Sequence, residues 1–214
     1  IDEFIICLGY RGAVIKNYFL TYFAQNSDFC IDSRSSQNSI EYLKPPNDKW
    51  SVTLVDTGLD TQIGGRLKRV MPYVSDDECF LMTYGDGLSD VSVADLLSHH
   101  REMGCLATVT GVVPPGRFGA IVQDKKMVSA FTEKPAGDNA LINGGFFILS
   151  PEVEKYISGD ESVWEREPLE NLAKDGQLFV YNHKGFWHAM DTLRDRIHLE
   201  KLLNSGDAPW VVQP

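Results

Sequence analysis

The sequence predicts an α/β protein with a Rossmann-like mixed, mostly parallel sheet flanked by helices and antiparallel strands added late in the chain. Three observations predict it. Over the first half, short apolar runs that stop at Gly or Pro alternate with stretches of helical periodicity. Three apolar-rich runs then follow one another with only turn residues between them. A length of 214 residues, 43% of them hydrophobic, suffices for one sizeable core, so a single domain over residues 1–214 is expected.

The elements follow in order. Phe4 to Leu8 is a continuous apolar run before Gly9, the pattern of a strand buried on both faces. Residues 12–24 place Val14, Ile15, Tyr18, Phe19 and Tyr22 at helical spacing. Val52 to Val55 reads as a strand ending at Asp56-Thr57-Gly58, and Gly64-Gly65 opens a short helix holding Leu67 and Val70. Phe80 to Tyr84 is a strand stopped by Gly85-Asp86-Gly87, and a helix over 92–103 turns Val93, Leu96 and Leu97 inward. Leu106 to Val113 is the next strand, ended by Pro114-Pro115-Gly116. Residues 118–123, 127–133 and 142–149 are the three added antiparallel strands. A helix near 165–174, strands at 177–182 and 186–190, and a final helix over 192–204 complete the chain.

Composition excludes several classes. A net charge of -10 opposes a nucleic-acid surface, because binding a phosphate backbone needs a basic face. No apolar run approaches the roughly 20 residues that span a bilayer, so no membrane partner is expected. Cys7, Cys30, Cys79 and Cys105 form no C-x-x-C pair and read as buried, reduced thiols, which fits a cytoplasmic protein. His99-His100 lacks a metal-ligand partner at useful spacing and reads as a solvated helix face. Trp50, Trp164, Trp187 and Trp210 read as packing residues, with Trp187 near enough in sequence to Asp191 to touch a sugar.

Four constellations can carry chemistry. Tyr84-Gly85-Asp86-Gly87 follows a buried strand, where open α/β sheets bind ligands, and the Asp86 carboxylate suits a hard cation such as Mg²⁺. The alternative is a tight turn whose Asp bonds its own backbone. Asp191 also ends an apolar run, so two distant strand ends can share one Mg²⁺; its alternative role is the N-cap of the last helix. The pair Gly64-Gly65 opens a helix with Arg66, Lys68 and Arg69, which can expose backbone N–H groups to an anion or can be an ordinary cationic surface helix. Glu133-Lys134-Pro135 ends one strand and Ile142-Asn143-Gly144-Gly145 starts the next, offering a phosphate cation and sugar hydrogen-bonding groups, or a plain hairpin.

The stretches VTLVDTG, GGRLKR, TYGDG, PPGRFGA, EKP, INGGFF, WEREPL and GFWHAMDTLRD, in this order, resemble the sugar-1-phosphate nucleotidyltransferase family, in particular its glucose-1-phosphate cytidylyltransferase branch. FIICLGYRG and GDAPW extend the likeness towards both ends. The resemblance implies the nucleotide-diphospho-sugar transferase fold, CTP and glucose 1-phosphate as substrates, CDP-glucose and pyrophosphate as products, and Mg²⁺ as the cofactor. It implies that Asp86 and Asp191 hold the metal, that Gly85 borders the nucleotide sugar, and that Thr61 and Arg66 help recognise the base. Glu133 would bond the sugar and Lys134 its phosphate, with Gly119, Asn143 and Gly145 completing the hexose pocket. It further implies a homo-oligomer, of which a hexamer is one form, and a product that feeds bacterial O-antigen biosynthesis.

The family's G-G-x-G-T-R-L signature and the K-P-K-P segment after it do not occur in this chain, which opens on Ile1-Asp2-Glu3. The chain is therefore expected to be the larger, C-terminal part of an enzyme and inactive by itself. A uridylyl-, thymidylyl- or guanylyltransferase acting on another hexose 1-phosphate, and a noncatalytic sugar-nucleotide-binding module, are the alternatives.

Overall fold

The computed structural model describes residues 1–34, 39–114, 120–124, 127–132 and 141–211. They fall into two compact units, Ile1–Tyr73 with Ile157–Pro168, and Val74–Tyr156 with Leu169–Pro214.

In the first unit, β1 (Glu3–Leu8) and β4 (Ser51–Asp56) run parallel, from Glu3 opposite Ser51 to Leu8 opposite Asp56. Between them in sequence lie helix α1 (Gly12–Asn26) and an antiparallel hairpin of β2 (Asp28–Asp32) and β3 (Ser39–Leu43). That hairpin was not expected, because neither arm shows an apolar run bounded by Gly or Pro. Helix α2 (Ile63–Val70) continues into a 3-10 turn at Met71–Tyr73. The expectation that β1 is buried on both faces is not met: Phe4 remains 42% exposed while Leu8 is buried, and among the described residues β1 pairs with β4 alone. Helix α1 likewise keeps Val14 and Tyr18 exposed, although Phe19 and Tyr22 pack edge-on against Trp50.

The second unit is built on a four-stranded sheet in the order β11-β7-β10-β5. Its strands are β5 (Phe80–Thr83), β7 (Ala107–Val112), β10 (Ile142–Leu149) and β11 (Leu178–His183). The pair β7–β11 is parallel, whereas β10 runs antiparallel to both β5 and β7. Thus β10 lies inside the sheet rather than at one side, which explains its buried run Phe147, Ile148 and Leu149. Helix α3 (Val93–Met103) packs on β7, β10 and β11, capped by Ser92 at its start and by Gly104 in left-handed conformation at its end. Strands β8 (Ala120–Asp124) and β9 (Met127–Thr132) form the expected antiparallel hairpin. The 3-10 segment Pro151–Tyr156, helix α4 (Glu167–Lys174) and helix α5 (Leu193–Ser205) complete the regular structure around β6 (Gly87–Ser89) and β12 (Trp187–Ala189).

Two minor expectations change. His100 is buried, with Nδ1 at 2.8 Å from Thr108 Oγ1, and His99 packs edge-on against Tyr181, so this pair is core rather than solvated face. All four cysteines are free, but only Cys105 is buried and Cys30 is exposed. Among the described residues, no helix is long and apolar enough to cross a membrane.

Candidate functional site

Strand β5 ends at Thr83, and the turn Tyr84-Gly85-Asp86 feeds directly into β6. Strand β6 pairs antiparallel with β12, Gly87 opposite Ala189, Leu88 opposite His188 and Ser89 opposite Trp187. The Met190 amide then donates to the Asp86 carbonyl at 2.8 Å, so Asp86 and Asp191 leave the same end of one short ladder. The two carboxylate-bearing residues singled out in the sequence are thereby brought side by side along the backbone. Neither alternative role for them is realised. The N-cap of α5 is Thr192, in a capping box with Asp195, not Asp191. Among the described residues the Asp86 carboxylate accepts no hydrogen bond from its own turn, and the residue is exposed.

Among the described residues no contact sets Gly85: a Cβ there would meet nothing within 4 Å, and its φ is not positive. The space in front of Gly85 is available to a ligand. Among the described residues no group of three His, Cys, Asp or Glu side chains could hold a metal ion. A pair of strand-end carboxylates nevertheless fits Mg²⁺, which binds through one or two carboxylates and completes its shell with substrate phosphates and water.

Beside this ladder, β10 begins with a bulge between Asn143 and Phe147. Gly145 takes φ +80, and a Cβ on it would lie 2.8 Å from the Tyr84 ring. A Cβ on Gly144 would lie 2.8 Å from Val112 and 2.9 Å from the Thr110 carbonyl. The bulge is held by Trp187, whose Nε1–H donates to the Gly144 carbonyl at 2.7 Å. Asn143 Oδ1 accepts from the Gly145 amide at 2.8 Å, and its Nδ2 donates to the Tyr84 hydroxyl at 3.4 Å. A Cβ on Gly87 would come to 4.0 Å from the Gly144 carbonyl, so the bulge and the Asp86 turn are neighbours. The structure therefore assembles Gly85, Asp86, Asn143, Gly145 and Asp191 in one unit. Tyr84 and Trp187 join them as supports that no motif reading assigned, the only signal being an aromatic placed before a G-D-G turn and another four residues before Asp191.

In the other unit, α2 does not present a free N-terminus. The Gln62 amide donates to the Asp160 carbonyl and the Gly64 amide to the Ser162 carbonyl, both at 2.9 Å. A Cβ on Gly64 would lie 2.7 Å from the Ser162 carbonyl, and one on Gly65 would lie 2.6 Å from Asp160 Cα. The glycine pair thus admits the chain's own backbone, which takes up the Gly64 amide. The cations are also engaged. Lys68 Nζ donates to the Ile157 carbonyl at 2.9 Å, and Arg69 grips Asp160 through Nε at 3.0 Å and NH2 at 2.6 Å, holding that carboxyl below its usual range. Arg66 donates through NH1 to the Leu8 carbonyl at 3.1 Å and to Thr57 Oγ1 at 2.7 Å, and through NH2 to the Leu59 carbonyl at 3.3 Å. Thr61 is buried, with its methyl group 2.7 Å from where a Gly65 Cβ would be and its hydroxyl 2.7 Å from where a Gly58 Cβ would be. Gly119, Glu133 and Lys134 lie outside the described residues.

The family model described as Nucleotidyl transferase matches residues 37–195. The chain is 50% identical over 210 residues to glucose-1-phosphate cytidylyltransferase of Salmonella typhi, covering 98% of this chain and 81% of that protein. It is 42% identical over 213 residues to a probable glucose-1-phosphate cytidylyltransferase of Bacillus subtilis, covering 99% and 82%. The fold matches the crystal structure of apo UDP-glucose pyrophosphorylase with a TM-score of 0.61 at 15% identity, over 96% of this chain and 82% of the other. With this identity along nearly its whole length, and with the α/β fold of a nucleotide-sugar pyrophosphorylase, the chain belongs to the nucleotidyl transferase family and groups within it with the glucose-1-phosphate cytidylyltransferases.

Proposed function

We propose that the chain transfers the cytidylyl group of CTP to glucose 1-phosphate, giving CDP-glucose and pyrophosphate. The observation that carries this reading is the β6–β12 ladder, joined at Asp86 and Met190, in a chain 50% identical to a glucose-1-phosphate cytidylyltransferase. A phosphate oxygen of glucose 1-phosphate attacks the α-phosphorus of CTP. That P–O bond forms as the bond from the α-phosphorus to the bridging oxygen breaks, and pyrophosphate departs with the electron pair. The protein needs no covalent nucleophile, because orienting two anions and balancing their charge carries the rate.

Bound Mg²⁺ supplies neutralisation of the triphosphate charge. Asp86 and Asp191 hold it at the ladder's open end, Gly85 leaves room for the nucleotide sugar, and Asn143 with Gly145 lines the hexose side. Glu133, Lys134 and Gly119 complete the sugar-phosphate contacts on the family pattern. The hydrogen bonds of Arg66 to Leu8, Thr57 and Leu59, and the burial of Thr61, support an indirect part for both residues in base choice, through the 57–62 turn. The reading extends to a cytoplasmic homo-oligomer, with a hexamer as the family form, which sedimentation tests.

The enzymatic test is pyrophosphate release from CTP, UTP, dTTP and GTP with glucose 1-phosphate and Mg²⁺, measured on the protein that carries this chain. CTP-selective release is expected. Nucleotide binding without release from any substrate would overturn catalysis in favour of a sugar-nucleotide-binding module, and release favouring another nucleotide would overturn the base assignment.

A further inference from the structure

The ladder that carries Asp86 and Asp191 contains three residue pairs and belongs to neither edge of the four-stranded sheet. A two-stranded ribbon of that length is marginal without support. Its closed end, away from the two aspartates, is tied by a knot of side chains. His183 Nε2 lies 2.9 Å from Asp90 Oδ1, 3.1 Å from the Phe186 carbonyl and 3.2 Å from Ser89 Oγ. Ser89 Oγ donates to the Phe186 carbonyl at 2.8 Å and accepts from the Val91 amide at 3.2 Å. The Asp90 amide also donates to the Phe186 carbonyl, at 3.2 Å.

The chemistry of the knot is determined by its acceptors. The Asp90 carboxylate and the Phe186 carbonyl both accept, so Nε2 carries a proton and donates, most closely to Asp90. This is not a nucleophile-activating triad, because Ser89 and Asp90 meet the same ring nitrogen and the Ser89 hydroxyl proton is already given to Phe186. His183 is also the last residue of β11, in register with Val112 of β7, and its side chain is only 9% exposed. One imidazole therefore fastens the ribbon that carries Asp86 and Asp191 to the core sheet. Gly185 is required inside the knot, since a Cβ there would press on Asp90 Oδ1 and lie 2.8 Å from His183 Cε1.

We propose that His183, Ser89 and Asp90 are positioning residues that hold Asp86 and Asp191 in register for the divalent cation. The inference rests on the reading of those two aspartates as metal ligands. Supports that orient metal ligands without touching the metal change affinity by about 10- to 100-fold when removed, and the same scale is expected here.

The test is Mn²⁺ binding to the chain in the presence of CTP, followed by water-proton relaxation, with urea denaturation run on every variant. His183→Leu and Gly185→Ala should weaken Mn²⁺ binding by about tenfold or more under conditions where each is folded, and His183→Gln, which restores an N–H donor near the Nε2 position, should recover most of the loss. A merely structural knot would lower the urea midpoint and leave Mn²⁺ affinity unchanged. Asp86→Asn separates the two claims. If it loses Mn²⁺ and the knot variants do not, the positioning role is overturned and the metal site stands. If it binds Mn²⁺ as well as the unsubstituted chain, or if that chain binds none, the metal site is overturned and the positioning role with it. Should His183→Leu fail to fold, Gly185→Ala decides, because it disturbs the knot without removing any of its polar groups.

Discussion

Trp187 Nε1–H donates to the Gly144 carbonyl at 2.7 Å, joining the strand that ends near Asp191 to the bulge that carries Asn143. Replacing Trp187 with Phe keeps a ring but leaves a buried carbonyl unpaired. The expected cost is about 1–3 kcal/mol in urea denaturation. Because the same bond aligns the bulge, KM for glucose 1-phosphate should rise more than kcat falls.

Two glycines of the site should respond in opposite ways. Gly145→Ala meets both a positive φ and the Tyr84 ring at 2.8 Å, so stability should fall by at least about 1 kcal/mol. Gly85→Ala meets nothing among the described residues, so its melting temperature should stay close to that of the unsubstituted protein while pyrophosphate release from CTP falls sharply. A melting curve and an initial-rate measurement on each variant distinguish the two.

Arg66 separates base recognition from loop anchoring. Removing it in Arg66→Ala leaves the Leu8 and Leu59 carbonyls without their guanidinium donor, and charged hydrogen bonds of this kind contribute about 1.5–3 kcal/mol each at most. The expected result is a lower urea midpoint together with a rise in KM for every nucleotide tested. Loss confined to CTP discrimination, at unchanged stability, would assign Arg66 to direct contact with the base instead.

Acid should destabilise the second unit through His100. Burial disfavours the imidazolium and pushes its pKa below the usual value of about 6.5. The unfolded chain then binds a proton that the folded chain resists, so this contribution is complete above about pH 6.5 and is lost as pH falls from there through the depressed folded-state pKa. Melting temperature should drop between about pH 7 and pH 5 more steeply than in His100→Gln, which cannot take up that proton.

Much of this was legible in the sequence where a single stretch carries both cause and effect. The runs that became β4, β5, β7 and β10 are apolar and stopped by Gly, Pro or a polar turn, and Asp86 and Asp191 stand where such runs end. What was not legible depends on partners far away along the chain. The glycines at 64 and 65 signal that something comes close to α2, but not that it is the backbone of Asp160 and Ser162. Lys68 reads as a surface cation until the Ile157 carbonyl is brought to it. The knot around His183 joins residues from three strand ends, and no local pattern marks it. The β2–β3 hairpin was missed for a different reason, since Asp28 and Asp32 bracket only three apolar residues, Phe29-Cys30-Ile31, too short a run to read as a strand.

The central claim is tested most directly by phosphorus NMR of a mixture of CTP, glucose 1-phosphate and Mg²⁺ with the protein that carries this chain. CDP-glucose and pyrophosphate should appear together, and Asp86→Asn or Asp191→Asn should slow their appearance by about 10²- to 10³-fold, the scale of losing one charge-stabilising group. Product forming at an undiminished rate in either variant would contradict the assignment of this ladder as the metal-holding centre of a cytidylyl transfer.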